Sequence, residues 1–233
     1  MSRGGYHGKA VVPELPDILV YIDSLNSRIV GGTLERVRVV SPFLVRTVTP
    51  AIGRAEGRTV RNVRRAGKRV AIELDGSLFL VLHLMIAGRL HWKPKGAAVP
   101  RKLGLAAFDF PRGTLLLTEA GSNKQASLHV VEGEDALARL DPGGIDVLRA
   151  TPAEFAGRLR RASHTLTRAL TDPRLFSGVG NAYSDEILHA ARLSPLQLSG
   201  NLDDAEVARL HEGTVRVPGR RQSRDIPHRM SAM

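Results

Sequence analysis

The chain of 233 residues contains no cysteine. That absence excludes a disulfide framework, a thiol nucleophile, an iron–sulfur cluster and any zinc site built on thiolates. Long apolar runs are missing too: no stretch approaches the roughly 20 residues a bilayer requires, so no membrane partner is expected. Residues 1–12 (MSRGGYHGKAVV) lack the apolar core of a signal peptide and read as a disordered extension, which makes the cytoplasm the expected compartment. The eight histidines include no pair four residues apart with a carboxylate partner, so no metal is expected. What remains is globular composition, 42% hydrophobic and 24% charged, enough for one large folded domain or two small ones. The 34 Lys and Arg residues exceed the 23 Asp and Glu by 11, but +2 of this lies in residues 1–12 and +4 in residues 216–233. The body between is mildly basic, which is compatible with a polyanionic partner without identifying one.

Apolar residues at Leu15, Ile18, Leu19, Ile22, Leu25 and Ile29 follow the 3.6-residue period of an amphipathic helix. The period then shortens. Val37 and Val39, and later Val70, Ile72 and Leu74, alternate with polar residues; Asp75-Gly76 is a hairpin turn, and Leu78–Leu84 is a nearly continuous apolar strand. A second hairpin is expected from Ala106–Phe110, the turn Pro111-Arg112-Gly113 and Thr114–Thr118. The sheet half spans 13–140, and Asp141-Pro142-Gly143-Gly144 opens a linker over 141–150. Beyond it, Thr151-Pro152-Ala153-Glu154 combines an N-cap, a first-turn proline and a capping-box glutamate. Helices are expected near 152–162, 164–172, 182–193 and 203–213, within a second domain over 151–215. Residues 216–233 are rich in Arg, Pro and Ser without apolar periodicity and are expected to be a disordered tail. The fold class is therefore α+β, a sheet domain with a leading helix followed by a helical domain.

Three segments carry chemical interest: Pro13-Glu14-Leu15-Pro16-Asp17, Gly67-Lys68-Arg69, and Gly178-Val179-Gly180-Asn181-Ala182-Tyr183-Ser184-Asp185-Glu186. Taken singly they are a helix cap, a solvated turn and a tight turn before a helix. In this order and spacing, joined by His83–Leu90 (HLMIAGRL) and Leu170–Pro195, they resemble the formamidopyrimidine-DNA glycosylase and endonuclease VIII family of base-excision repair enzymes. The resemblance covers about residues 13–213. It implies a β-sandwich-like N-terminal domain, a helix–two-turn–helix domain and a groove between them for damaged double-stranded DNA, in a monomer. The implied activity is excision of a damaged, oxidised base with lyase cleavage at the resulting abasic site.

The resemblance also assigns roles. Pro13 matches the mature N-terminus, whose secondary amine attacks C1′ of the damaged nucleotide to form an iminium. A terminal amine is well suited to this attack, because its reference pKa of roughly 8, against about 10.4 for lysine, leaves far more of it neutral near pH 7. Glu14 matches the acid that handles protons at the ring oxygen and leaving base. Lys68 matches a phosphate-contacting lysine. Gly178, Gly180 and Asn181, with the N–H groups opening the next helix, match a phosphate-binding turn, and Glu186 matches a carboxylate near the site.

The sequence departs from the family in four respects. Twelve residues precede Pro13, and a proline nitrogen inside a peptide bond is an amide without a usable lone pair. Val12 offers one route, since a GTG codon can initiate translation as methionine and removal of that residue would expose Pro13; processing, or a non-catalytic DNA-binding remnant, are the alternatives. The Cys-rich zinc finger of most relatives is absent, so no cofactor is expected. Where relatives carry an Arg and a Phe to fill the gap left by a flipped base, this chain has Gly121-Ser122-Asn123-Lys124-Gln125-Ala126, and the intercalating methionine position is shared ambiguously between Met85 and Ile86. Thr167 stands near a usual phosphate-contacting lysine, leaving Arg168 to compensate.

Overall fold

The computed structural model describes residues 13–161 and 163–230, with side chains described as far as Val217. The expected extension 1–12 lies outside the described residues.

Helix α1, Leu15–Ile29, begins after Glu14, whose backbone N–H donates to Asp17 Oδ2 at 3.1 Å. Its apolar stripe divides between two cores. Ile18, Ile22, Leu25 and Ile29 are buried in the first, whereas Leu15 is buried in the second and Leu19 packs against it. One helix thus joins both halves of the molecule.

The first half is a sandwich of two four-stranded antiparallel sheets. One has strand order β1 (Arg36–Val39), β6 (Gly104–Phe110), β7 (Gly113–Glu119), β5 (Gly88–Lys93); the other has β2 (Val60–Ala66), β3 (Arg69–Leu74), β4 (Leu78–His83), β8 (Ser127–Glu132). Val70, Ile72, Leu80, Leu82, Leu128 and Val130 from the second sheet meet Leu90, Ala106, Phe108, Leu115 and Leu117 from the first. The near-continuous apolar run at β4 has a direct cause. Its even-numbered leucines face this core, while Phe79 and Val81 pack on the other face with Leu137 of the short helix α2 (Glu134–Ala138). Both faces are covered, so both are apolar.

In the second half, α3 (Pro152–Leu159) starts with the expected capping box: Glu154 N–H donates to Thr151 Oγ1 at 3.3 Å, and Thr151 N–H donates to the Glu154 carboxylate at 2.8 Å. Helices α4 (Leu166–Thr171), α5 (Asn181–Ala191) and α6 (Asp204–Met230) complete it. Two expectations are corrected here. The segment 141–150 is not simply a linker: Ile145–Asp146 forms strand β9, paired in parallel with β10 (Phe176–Ser177), and Val147 is fully buried. The stretch 216–230 is helical, as the continuation of α6, where a disordered tail is expected from sequence. Buried Val217 anchors the turn from which the helix continues. Propagation from an existing helix needs no apolar stripe, so the lack of periodicity there does not preclude a helix, although Pro218 and Pro227 each remove a backbone donor within it.

Candidate active site in the interdomain cleft

The two halves meet at a cavity of about 310 Å³. Pro13 lies at its wall with Gly67, Lys68 and Arg69 from the β2–β3 turn, His83 from the end of β4, and Met85 and Ile86 from the β4–β5 connection. The helical half contributes Ser177 and Gly178, and the flanking prolines are Pro142 and Pro173. Segments more than 100 residues apart in sequence thus converge on one space.

Glu14 stands behind Pro13, only 3% exposed. Its carboxylate crosses between the domains and accepts from Ala182 N–H at 3.1 Å and from Tyr183 N–H at 2.7 Å, the first turn of α5. A carboxylate at a helix N-terminus satisfies donors that have no partner within the helix and meets its positive end. The glycines before α5 make this approach possible. A Cβ on Gly180 would lie 2.4 Å from Glu14 Oε1, and Gly178 has φ +94°, with a Cβ there meeting the Arg65 guanidinium at 3.0 Å and the Leu15 side chain at 3.3 Å. Arg65 itself forms an ion pair with Asp146 of β9, a second tie between the halves.

The electrostatics of the site favour neutral, proton-exchanging groups. Burial pushes the Glu14 carboxyl above its usual value, opposed by the Tyr183 N–H and the Lys68 charge. Burial likewise lowers the Lys68 ammonium, opposed by Glu14. His83 is pushed down to about 4, first by burial and then by Arg69, Lys68 and His129. At neutral pH its imidazole is an uncharged donor and acceptor facing the cavity.

Of the residues singled out from sequence, Pro13, Lys68, Met85, Ile86 and Gly178 line the cavity. Glu14 and Gly180 form the layer behind it, and Asn181 is exposed at the start of α5. Arg168, exposed on α4, and Glu186, half-buried on α5, are not among its lining residues. The N–H groups of Ala182 and Tyr183, which the family resemblance assigns to phosphate, are taken in this structure by Glu14, while the Asn181 side chain stays exposed. Sequence reasoning missed His83 and Arg69, although His83 opens the HLMIAGRL motif and Arg69 follows Lys68 directly. Met85 and Ile86, both candidates for the intercalating position, differ in backbone and exposure. Met85 holds φ +53°, a left-handed backbone unusual for a non-glycine residue, and Ile86 is 51% exposed. The tight turn, closed by Gly88 N–H donating to Leu84 O at 2.9 Å, thereby presents Ile86 outward. Among the described residues there is no cluster of three or more His, Asp or Glu able to hold a metal ion.

Residues 12–121 match the formamidopyrimidine-DNA glycosylase N-terminal domain, and residues 145–219 match the H2TH domain of the same family. A formamidopyrimidine-DNA glycosylase of Symbiobacterium thermophilum is 33% identical over 212 residues, covering 88% of this chain and 68% of the relative. The chain belongs to the formamidopyrimidine-DNA glycosylase family. A Thermus thermophilus family member is likewise 33% identical over 211 residues, covering 88% of this chain and 74% of its own. Among solved structures, a complex of Lactococcus lactis Fpg with DNA containing an abasic site superposes with a TM-score of 0.82 at 21% identity, over 90% of this chain and 78% of that one. A MutM complex with DNA carrying carbocyclic 8-oxo-G gives 0.82 at 22% identity, over 91% and 80%. These likenesses establish that the sandwich and the helical half are arranged as in the family fold. No described helix is long and apolar enough to cross a membrane.

Proposed function

We propose that this protein is a base-excision repair glycosylase that removes an oxidised base from duplex DNA and cleaves the strand at the abasic site. The observation that carries the reading is the buried Glu14 carboxylate, fixed on the first turn of α5 directly behind Pro13 and electrostatically coupled to Lys68. The active form is the one whose chain begins at Pro13, because only then does its nitrogen keep a lone pair. That secondary amine forms a bond to C1′ as the glycosidic bond breaks and the base departs with a proton. Opening of the sugar at O4′, with a proton supplied through the raised-pKa carboxyl of Glu14, yields the iminium. Loss of a C2′ proton then expels the 3′ phosphate, and water releases the product from Pro13. Lys68 and neutral His83 face the cavity where the phosphates flanking the extruded nucleotide would lie, and the exposed side chain of Ile86 fills the space the base vacates.

Borohydride trapping tests this. Protein beginning at Pro13, mixed with a duplex containing an abasic site, should give a reduced covalent adduct that peptide mass maps to Pro13, and protein retaining residues 1–12 should trap far less. Absence of an adduct from Pro13-started protein that still binds the duplex would rule out the proposed nucleophile.

A further inference from the structure

The end of the sandwich that bears the cavity has an unusual surface. Five large apolar residues of the N-terminal domain are exposed among the described residues, and four of them, Val40 (55%), Phe43 (74%), Ile86 (51%) and Leu103 (46%), lie at this one end. Their grouping follows from the strand register. His83 pairs with Ser127, so β4 ends where β8 begins. The chain at 44–46 extends the same sheet past β8: Leu128 N–H donates to Leu44 O at 2.8 Å, and Arg46 N–H to Leu128 O at 2.9 Å. This segment runs parallel to β8, so Phe43 projects beyond it at the end that carries the cavity. Leu103 joins the same rim through its carbonyl, which accepts from Glu119 N–H at 2.8 Å, and Val40 N–H donates to Leu105 O at 2.9 Å.

The rim is also uniformly non-acidic. The segments 40–47, 84–89, 99–104 and 120–126 contain no Asp or Glu, but hold Arg46, Arg89, Arg101, Lys102 and Lys124. Exposed apolar side chains set among cations, with no carboxylate, are complementary to a partner that is anionic outside and aromatic inside. Duplex DNA has that construction. An acidic protein would match the cations equally but would offer no stacked bases to an isolated exposed ring.

Resting on the function proposed above, we infer that Phe43 is a second wedge on DNA, stacking on a base of the duplex at a distance from the extruded nucleotide. The segment 44–46 lies two strand spacings from β4, about 10 Å, and at 3.4 Å per step this places Phe43 about three base pairs from the nucleotide at the cavity. Ile86 acts at the vacated position, and Phe43 acts along the helix from it. The loop 121–126, which has no aromatic residue, lies between them and is pinned by the buried Glu119 carboxylate, which accepts from Gln125 and Ala126 N–H at 3.0 Å and shorter. Phe43 is thereby a specificity-determining residue: its stacking favours duplexes that unstack readily at that step.

The test uses the full chain and duplexes with a tetrahydrofuran abasic-site analogue, carrying 2-aminopurine at successive positions on either side. Binding of the unmodified protein should raise 2-aminopurine fluorescence at a position about three steps from the analogue. Phe43→Ala should abolish that signal and weaken binding about tenfold with an unchanged salt slope, because stacking contributes affinity without releasing counterions. Phe43→Trp should restore both. Affinity within twofold of the parent, with the fluorescence retained, would overturn the inference and leave the rim to a protein partner. A salt slope that falls with Phe43→Ala would also overturn it, by making Phe43 a mere support for Arg46. Failure of both the full chain and protein beginning at Pro13 to bind any duplex would defeat the function proposed above, a result distinct from either. Phe43 is exposed, so its variants should keep the parent melting temperature, and a lowered one would assign it a packing role instead.

Discussion

Replacing Glu14 with Gln changes few atoms and removes two things at once, an anion and a proton carrier. In the native site the carboxylate accepts from Ala182 N–H and Tyr183 N–H, one oxygen to each. A carboxamide has one oxygen and one NH₂, so one backbone donor must then face another donor. Hydrogen bonds to a charged group contribute about 1.5–3 kcal/mol, and an unmet buried donor costs about 1–3 kcal/mol. Against this, Gln avoids the cost of burying a charge. The net loss should be about 2 kcal/mol, or roughly 4–8 °C in melting temperature for a protein of this size. The pH dependence carries a sign of its own. Because burial raises the Glu14 pKa above its ordinary 4.5, the native chain retains a proton that the unfolded chain has released. Stability contributed by this group therefore falls as pH rises from 4.5 through the raised native value, and the Gln variant should lose that dependence. In activity, single-turnover base excision should fall by about 10²-fold or more, the usual range for a lost general acid. Cleavage of a preformed abasic site, which has no base to expel, should fall less. Unchanged excision in a folded Gln variant would refute the proton-transfer role and leave Glu14 as the cap of α5 alone.

Gly180→Ala should act through the same carboxylate from the other side, because its Cβ would lie 2.4 Å from Glu14 Oε1. We expect destabilisation of about 1–3 kcal/mol by thermal melting and an excision defect resembling that of Glu14→Gln; a variant as stable and active as the parent would show that the carboxylate has room to move. Lys68 and His83 should separate by charge: Lys68→Ala should reduce the log–log salt slope of DNA binding by about 0.9, whereas His83→Gln should weaken binding near pH 7 with the slope unchanged. That contrast follows from a His83 pKa of about 4 and reverses only if the imidazole is protonated in the complex. Because the fold holds this imidazole neutral, His83 also costs stability as pH falls from 6.5 toward 4, a loss that His83→Gln should relieve in an acid melting series.

Legibility from sequence followed periodicity. Helix α1 and the β6–β7 hairpin were readable because their apolar spacing matches one geometry throughout, and the capping box at Thr151 was readable because it is local. Strand β2 was not, since VRNVRRA is rich in arginine and its partners are set by β3. Strand β5 (GRLHWK) and the two-residue β9–β10 pair were equally silent: such strands exist only through residues distant in the chain. The continuation of α6 was hidden for the opposite reason, having a helical backbone without an apolar stripe.

The same division holds at the site. Pro13, Glu14, Lys68 and the Gly178–Asn181 turn stood out only through their joint resemblance to a known family, which could be seen because each segment is short and contiguous. What the segments do to one another was not. Composition and spacing cannot express that Glu14 reaches across 168 positions to Ala182, that Gly180 must lack a Cβ to admit it, or that His83 is neutral. These are consequences of burial and of charges brought together by the fold. The linear sequence by itself determined the local periods, the caps, the residues chemically able to act and the absence of thiolate chemistry. The tertiary structure alone decided which backbone donors Glu14 satisfies, which protonation states the cleft favours and which apolar side chains stay in water. Distances between remote groups, and the dielectric around them, come into being only when the chain is folded.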